Sequence, residues 1–278
     1  MNHSERLMRR VRLVSAVAFF LFIVGMAAYF LLRTPPTCVD GKRNQGEIGI
    51  DCGGKCDACP EMLSPDPFVI REAEVVPGNV SGEYDVVAKI YNPNDMIGAS
   101  EVTYDVSLHD ASGVIMGRVS GTDSILPQET KTILLLGIVT TQTPVSVEVS
   151  FRDERWQRFS GYQERPKLTL YRTRFDTLSS GPFYGEAFGT LRNDSSFDFR
   201  SVTIKVILRD ATGKPVALNQ TEINTLLSGD IRDFTLRWPK AFPGNASSVE
   251  AVADTDFYHE ENFIERYRSG NEQFQSLQ

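Results

Sequence analysis

The stretch VTYDVSLHDASG, from Val102 to Gly113, returns 100 residues later as VTIKVILRDATG, from Val202 to Gly213. In both copies apolar residues alternate with other residues and lead into an Asp-Ala-x-Gly turn. Alternation with a period of two is typical of a strand that buries one face, and the turn residues favour a tight reversal. The sequence therefore predicts one strand and turn, used twice.

The repeat extends outward from this stretch, since Leu126 aligns with Leu226 and Asn92 aligns with Asn193 after a small shift. It defines two units, residues 67–163 and 164–262. Short strands separated by turns, in units of about 100 residues, are typical of immunoglobulin-like β-sandwiches. We therefore predict a mainly β protein with two tandem immunoglobulin-like domains, in which packed apolar faces replace the usual inter-sheet disulfide. The candidate strands are residues 68–76, 84–91, 102–108, 130–138 and 145–152, and then 168–175, 184–191, 202–208, 231–238 and 249–253.

The pattern Val106-x-Leu108-x-Asp110-Ala111-x-Gly113, followed by Leu126-Pro127, resembles the small bacterial β-sandwich domains with an FxLYD signature. His109 and Arg209 stand where that family has tyrosine, and Leu227-Ser228-Gly229 departs from its Leu-Pro-Gly. The resemblance implies a secreted or envelope module and carries no shared chemistry.

An apolar segment from Leu13 to Leu32 contains no charged residue. As a helix rising about 1.5 Å per residue it spans a hydrocarbon core of about 30 Å. Four arginines precede it and only Arg33 follows closely, so the positive-inside rule predicts a cytoplasmic tail at residues 1–12 and an extracytoplasmic remainder. The alternative is a cleaved signal peptide, which normally has a shorter apolar region.

Every cysteine of the chain lies in the predicted juxtamembrane module, residues 33–66. Outside the membrane, four cysteines in a short glycine-rich segment predict disulfides, with three connectivities open. A zinc site requires thiolates in a reducing environment, and a Cys-x-x-Cys redox pair is typical of a βαβ fold, which this sequence does not predict. The predicted disulfide residues are Cys38, Cys52, Cys56 and Cys59.

The same module places oxygen-bearing side chains at intervals of three and four residues, in a spacing that a calcium ion could use. The alternative is that these side chains form turns and cap one another. The segment also resembles a DGxxNxGExGxDCGGxCxxC motif of surface proteins, which implies an extracellular disulfide-bonded knob. The candidate calcium ligands are Asp40, Asn44, Glu47 and Asp51.

Composition and missing motifs argue against several classes of function. A net charge of -7 and a pI near 5.1 argue against nucleic acid as the main partner, because phosphate binding requires a positive surface. The chain has three histidines and lacks the P-loop, nucleophile-elbow and zincin motifs. We therefore predict a protein that is not an enzyme, with calcium as the only cofactor that the sequence suggests.

The resulting prediction is a single-pass bacterial cell-membrane protein, non-catalytic, that binds or scaffolds another envelope protein or a glycan beside the lipid bilayer. The alternatives are a glycan-processing enzyme that uses Asp254 and Asp256, and a passive spacer. A polar tail occupies residues 263–278. Partner contacts are predicted on the matching loops 92–99 and 193–199. The candidate contact residues are Asn92, Asn94, Asp95, Asn193, Phe197 and Phe199.

Overall fold

The computed structural model describes residues 14–15, 17–26, 38, 41–44, 46–47, 50–52, 54–56, 65–159, 166–260 and 263. The chain divides into two compact units, Met1–Leu63 and Ser64–Gln278. In the first unit, residues 14–15 and 17–26 are helical and exposed. Within the described ranges no helix has the length and apolarity needed to cross a membrane.

Several sequence predictions fall on other parts of the chain. The predicted transmembrane helix includes residues 13, 16 and 27–32, which lie outside the described residues. The predicted cytoplasmic tail lies wholly outside them, and so does the polar tail apart from Phe263. These assignments remain predictions.

The second unit is built from β-strands, and the repeat is visible in their order. Its described residues form twelve strands, six in each copy of the repeat. The first six are β1 (Val69–Pro77), β2 (Glu83–Tyr91), β3 (Ile97–His109), β4 (Ile115–Ile125), β5 (Thr130–Val139) and β6 (Ser146–Arg158). The next six are β7 (Leu168–Thr177), β8 (Gly185–Asn193), β9 (Phe199–Arg209), β10 (Pro215–Leu226), β11 (Ile231–Trp238) and β12 (Ser248–Asp254).

The strands pair into four antiparallel sheets of three strands, with the orders β1-β2-β5, β4-β3-β6, β11-β8-β7 and β10-β9-β12. The second pair of sheets repeats the pairing of the first, because β7 to β12 take the places of β1 to β6. We call the six strands of the first copy sandwich 1 and those of the second copy sandwich 2. The predicted mainly β class is confirmed, and each predicted strand is present.

Two strands escaped the sequence prediction. β4 and β10 each lie at the edge of a sheet and pair with one neighbour only. Many of their residues are exposed or half-exposed polar residues. An edge strand of this kind lacks the regular apolar alternation on which the prediction relied.

Each sandwich encloses its own apolar core between its two sheets. In sandwich 1 the core joins Val86, Ala88 and Ile90 of β2 to Val106 and Leu108 of β3. The core of sandwich 2 contains more aromatic side chains. The core there includes Leu191, Phe199, Val206, Leu208, Phe234 and Trp238.

A further apolar contact lies between the two sandwiches. Val76, Val87 and Leu134, on the outer face of sheet β1-β2-β5, form one buried cluster with Ile207 and Leu218 on the outer face of sheet β10-β9-β12. Both sheets are therefore covered on both faces, and the second unit is a stack of four sheets. We call this interface, with the charged groups that flank it, the joint.

The segment after β12 strengthens the joint. A short 3-10 helix, Phe257–His259, carries Tyr258, whose hydroxyl donates to the Ile125 carbonyl of sandwich 1 at 3.3 Å. The Tyr258 ring also lies against Phe159, at the end of β6, with centroids 5.6 Å apart. Leu126 and Phe159 of sandwich 1 accordingly belong to the core cluster of sandwich 2.

Candidate functional site

The cysteine module is disulfide-bonded in its described part. Cys38 and Cys56 form a disulfide, and Cys52 is also disulfide-bonded. Cys59 lies outside the described residues. The Glu47 carboxylate lies within 4.8 Å of both Cys38 and Cys56 sulfurs, but a disulfide sulfur is no thiolate, so this trio does not form a thiolate metal site.

Two of the candidate calcium ligands bind backbone amides. The buried Glu47 carboxylate accepts from the N–H of Asn44 at 2.9 Å and from that of Asp51 at 3.3 Å. The Asp51 carboxylate accepts from the N–H of Gly41 at 2.8 and 3.0 Å. These contacts close the loop, as the turn-and-cap alternative describes, and Asp40 lies outside the described residues. Calcium remains a prediction.

The two predicted contact loops are organised by a matching pair of asparagines. Asn92 is fully buried, and its amide donates to the carbonyls of Ile97 and Leu126 at 2.8 and 3.0 Å. Asn193 is also fully buried, and its amide donates to the carbonyls of Phe197 and Leu226 at 2.6 and 3.4 Å. Each asparagine thus ties the loop after its strand to the turn that precedes β5 or β11.

Most of the candidate contact residues in these loops serve the fold. Asn94 is 9% exposed, and Phe197 and Phe199 are 2% and 1% exposed within the core of sandwich 2. Only Asp95 among the named residues is exposed. Side chains buried to this degree offer little surface to a partner, so the structure gives no support to Phe197 and Phe199 as contact residues.

Charged side chains converge in the joint, and among them the sequence analysis named only Asp254. The Lys131 ammonium lies 2.7 Å from Asp254 and 3.0 Å from Asp123. The Lys205 ammonium lies 2.5 Å from the other Asp254 oxygen and donates to the Thr132 carbonyl. Asp254 and both lysines are at least nine-tenths buried. The pair Lys205 and Asp254 therefore holds sandwich 2 to Lys131 and Asp123 of sandwich 1.

Burial and neighbouring charges shift the pKa values of the acid groups in this cluster in different directions. Burial raises the pKa of Asp123, and it raises the pKa of Glu129, just before β5, to about 7. Burial also acts to raise the pKa of Asp254, but the attraction of Lys131 and Lys205 outweighs it and lowers that pKa below 3.8. Asp254 is thus the carboxylate that the two ammonium groups hold ionised.

A second ionic group flanks the apolar strip on its other side. Arg209 binds both carboxylate oxygens of Glu72 at 2.7 and 2.8 Å, across the joint. Lys89 lies 3.1 Å from Glu72 and 2.5 Å from Glu250, and Arg209 also reaches Glu250 at 2.7 Å. Each cation thus contacts an acid in both sandwiches. Bidentate arginine geometry of this kind fixes orientation as well as distance.

The acid pair considered for glycan chemistry is divided between two structural roles. Asp254 is enclosed in the joint, as described above. Asp256 caps the 3-10 helix, accepts from the Ser124 hydroxyl at 3.1 Å and lies 2.6 Å from the exposed His259 ring. Neither arrangement pairs the two carboxylates across an open cleft, which retaining or inverting hydrolysis requires.

Exposed aliphatic side chains lie at the end of sandwich 1 where three loops are tied together. The Thr140 N–H donates to the Gly82 carbonyl, and the Val145 N–H donates to the His109 carbonyl. Large aliphatic side chains are exposed around these bonds, and we call this set the three-loop end. Its members are Val80, Val114, Ile115, Val139 and Val145, which are 48% to 73% exposed.

Comparisons with known proteins leave the family open. No protein-family model and no curated protein sequence match the chain. Among solved structures, red sea bream transglutaminase aligns with a TM-score of 0.21 and 12% identity, over 68% of this chain and 29% of that protein. The chain therefore spans less than a third of that enzyme, and a likeness this weak carries no argument about fold or activity.

Proposed function

We propose that this chain is a membrane-anchored, extracytoplasmic binding or scaffolding protein of the bacterial cell envelope, without catalytic activity. In this proposal the apolar segment at residues 13–32 is the anchor, the cysteine module follows it, and the two sandwiches are immunoglobulin-like domains. The disulfide between Cys38 and Cys56 supports an oxidising compartment, because such bonds persist outside the reducing cytosol.

The observation that carries the proposal is the joint. A flexible chain of two domains would expose the outer face of each sheet, but here one outer face of each sandwich is buried against the other. Charged pairs on both flanks of the apolar strip set one orientation. A body held in this way keeps a binding surface at a fixed position, which favours a scaffold over a passive spacer.

The three-loop end is the surface that we assign to the partner. Exposed clusters of apolar side chains on soluble domains mark interaction sites more often than scattered single residues do. The matching end of sandwich 2 differs, because Lys214 stands in the position of Val114 and the buried Pro215 stands in that of Ile115. Aliphatic side chains favour an envelope protein over a glycan as the partner.

The experiment is site-specific crosslinking in the cells that make the protein. A photoreactive residue at position 114 should trap a discrete partner, and the same residue at position 214 should trap little. Equal capture from both positions, or none from position 114, contradicts the assignment of the three-loop end. Placement is tested separately, since alkylation of the cysteines in intact cells without prior reduction contradicts an oxidised extracytoplasmic module.

A further inference from the structure

The charged cluster of the joint places a lysine of one sandwich directly against a carboxylate of the other. The Lys131 nitrogen of sandwich 1 lies 2.7 Å from Oδ1 of Asp254 in sandwich 2, and the two residues are 123 positions apart in the chain. An ammonium group and a carboxylate together contain the atoms of an amide and one water. Loss of that water would join the two sandwiches through a covalent bond.

Two further groups supply what such a step needs. Asp123 lies 3.0 Å from the same Lys131 nitrogen, where it can accept the proton that keeps this nitrogen from acting as a nucleophile. The Lys205 ammonium lies 2.5 Å from Oδ2 of Asp254, so its charge can stabilise the negative oxygen of a tetrahedral intermediate. The Thr132 carbonyl accepts from the same ammonium and holds it in place. A nucleophile, an electrophile, a base and a stabilising charge therefore meet at one point.

We propose that the chain closes its own joint with an amide bond between the side chains of Lys131 and Asp254. Asp123 takes a proton from the Lys131 ammonium, and the resulting amine attacks Cγ of Asp254. The C–N bond forms as the bond from Cγ to Oδ1 breaks. Oδ1 leaves as water with two protons that were on the lysine, one of them returned by Asp123. The step occurs once in each chain, needs no co-reactant and does not depend on which partner the protein binds.

Burial decides the direction of this reaction. In bulk water the separate ions are strongly hydrated, so an amide between free side chains does not accumulate. The joint removes that hydration, and an uncharged amide costs less to enclose between two sheets than a pair of ions does. The fold also holds the reacting groups in contact, and such positioning can correspond to an effective concentration of about 10⁵ M or more. The site therefore favours the amide over the ions.

The other flank of the joint supplies a control within the same molecule. The Lys89 ammonium lies 2.5 Å from Glu250, so it also joins a lysine of sandwich 1 to a carboxylate of sandwich 2. The side chains of Lys89 and Glu250 are 19% and 32% exposed, whereas those of Lys131 and Asp254 are 3% and 10% exposed. Water that reaches the first pair keeps its ions hydrated. We therefore expect the bond at Lys131 and not at Lys89.

The test is the mass of the whole chain, measured in denaturant after reduction of its disulfides. The wild-type chain and the Lys89→Arg variant should each be lighter than the sequence mass by one water. Lys131→Arg keeps the buried positive charge, but a guanidinium is no nucleophile, so this variant should have its full sequence mass. A full mass for the wild type overturns the proposal, and so does a loss of water that persists in Lys131→Arg.

Protease digestion of the wild-type chain locates the bond. A branched peptide that joins Lys131 to Asp254 supports the proposal. A loss of water without a branch, as in a cyclised aspartate, overturns it, and so does a branch at Lys89 or Lys205. The rate is followed in freshly made chain sampled at intervals, where Asp123→Asn should delay the loss of water about a hundredfold. An unchanged rate in that variant overturns the role assigned to Asp123.

Discussion

The two sandwiches have matching inward residues, each in its own core, and differ on the sheet faces that point away from those cores. The inward residues of β3, such as Val106 and Leu108, match Val206 and Leu208 of β9, and all are buried. The outward residues between them differ in character, because sandwich 2 uses that face in the joint and sandwich 1 covers it with polar and charged side chains of its own. The matched outward pairs, sandwich 1 first, are Asp105 and Lys205, Ser107 and Ile207, and Arg118 and Leu218.

The outer faces of sheets β1-β2-β5 and β11-β8-β7 differ in the same way, but here the sheet of sandwich 1 lies in the joint and the sheet of sandwich 2 is free. On sheet β1-β2-β5 the joint uses Val87, Lys89 and Leu134, whereas sheet β11-β8-β7 carries other residues at the matching positions. Arg174 covers the ring of Phe188 there, with the guanidinium 4.1 Å from the centroid. Apart from Phe188, which Arg174 covers, the free faces carry polar or charged side chains where the joint has its apolar strip, which disfavours stacking of a third sandwich. The matched residues are Phe188, Thr190 and Thr235.

The largest expected loss of stability comes from removing Asp254, the acid that Lys131 and Lys205 share. Asp254→Ala leaves the ammonium groups of Lys131 and Lys205 buried without their common carboxylate. Loss of one partner from a buried charged pair costs about 3 to 5 kcal/mol of unfolding free energy. Equilibrium urea unfolding at pH 7 measures this loss.

The control for that variant lies at the matching position of sandwich 1. Arg152 occupies the place of Asp254 in the strand register, but it is half-exposed and pairs with Asp105 and Asp153 on the surface. Arg152→Ala should cost far less than Asp254→Ala, because a solvent-exposed ion pair contributes little to stability. Similar losses from the two variants would mean that the joint contributes no special stability.

The apolar strip offers the next test. Leu218 is 1% exposed and packs in the joint, and Leu218→Ala should lose about 3 kcal/mol through lost burial and the cavity left behind. Arg118, its exposed counterpart, donates to the Ser107 hydroxyl, and Arg118→Ala should change stability by about 0.5 kcal/mol or less. Chemical unfolding of the two variants side by side checks the difference, and an equal effect would count against a packed joint.

The sequence predicted most clearly the strands that bury one face only. In β3, β8 and β11 the apolar residues alternate, and the alternation marks the inward face directly. The two missed strands, β4 and β10, are edge strands whose polar residues face water on more than one side. β4 has few buried residues, and β10 has a buried run from Pro215 to Leu218 at one end, so neither strand shows a regular period.

The joint was missed although its signal is present. β5 contains the run Ile133 to Leu136, and β9 contains Val206-Ile207-Leu208, where sandwich 1 has Val106-Ser107-Leu108. A continuous apolar run in place of alternation indicates a strand that is covered on both faces. Asp254 could not be predicted in this way as the shared partner of the two lysines, because it lies 49 positions from Lys205 and 123 positions from Lys131.

The burial of the loop residues was hard to predict for a different reason. Asparagine and aromatic residues in a turn are consistent with an exposed binding loop and with a loop folded into the core. The choice depends on whether the backbone groups nearby have partners of their own. Asn92 and Asn193 supply those partners, and only the three-dimensional arrangement of the carbonyls shows it.

The pH dependence of stability tests a difference between the matching strands β2 and β8. Asp85 of β2 is 4% exposed and accepts from the Gly137 N–H, whereas Glu186 at the matching place in β8 pairs with Arg237 on the surface. Burial raises the pKa of Asp85 from 3.8 to about 6, so the folded chain binds this proton more tightly than the unfolded chain. Stability from this group therefore falls as the pH rises from about 4 to about 6.

The variant Asp85→Asn keeps an acceptor for Gly137 and removes the titration. We compare the unfolding free energy of the variant with that of the wild type at each pH. From pH 4 to pH 7 this difference should shift by about 2 to 3 kcal/mol in favour of the variant. Thermal and urea unfolding at both pH values give the comparison. An unchanged difference between pH 4 and pH 7 would show that Asp85 is not held in a desolvated site.

The smallest effect tests what the sandwiches have in common. Asn92→Ala and Asn193→Ala each remove a buried amide that serves two backbone carbonyls, so each should cost about 1 to 3 kcal/mol. Because the two asparagines bind their loops in the same way, the two losses of unfolding free energy should agree within about 1 kcal/mol when measured by urea unfolding. A loss confined to Asn193→Ala would mean that the buried asparagine stabilises the fold only where it supports the aromatic core of sandwich 2. The matching asparagines would then have different roles in the two copies.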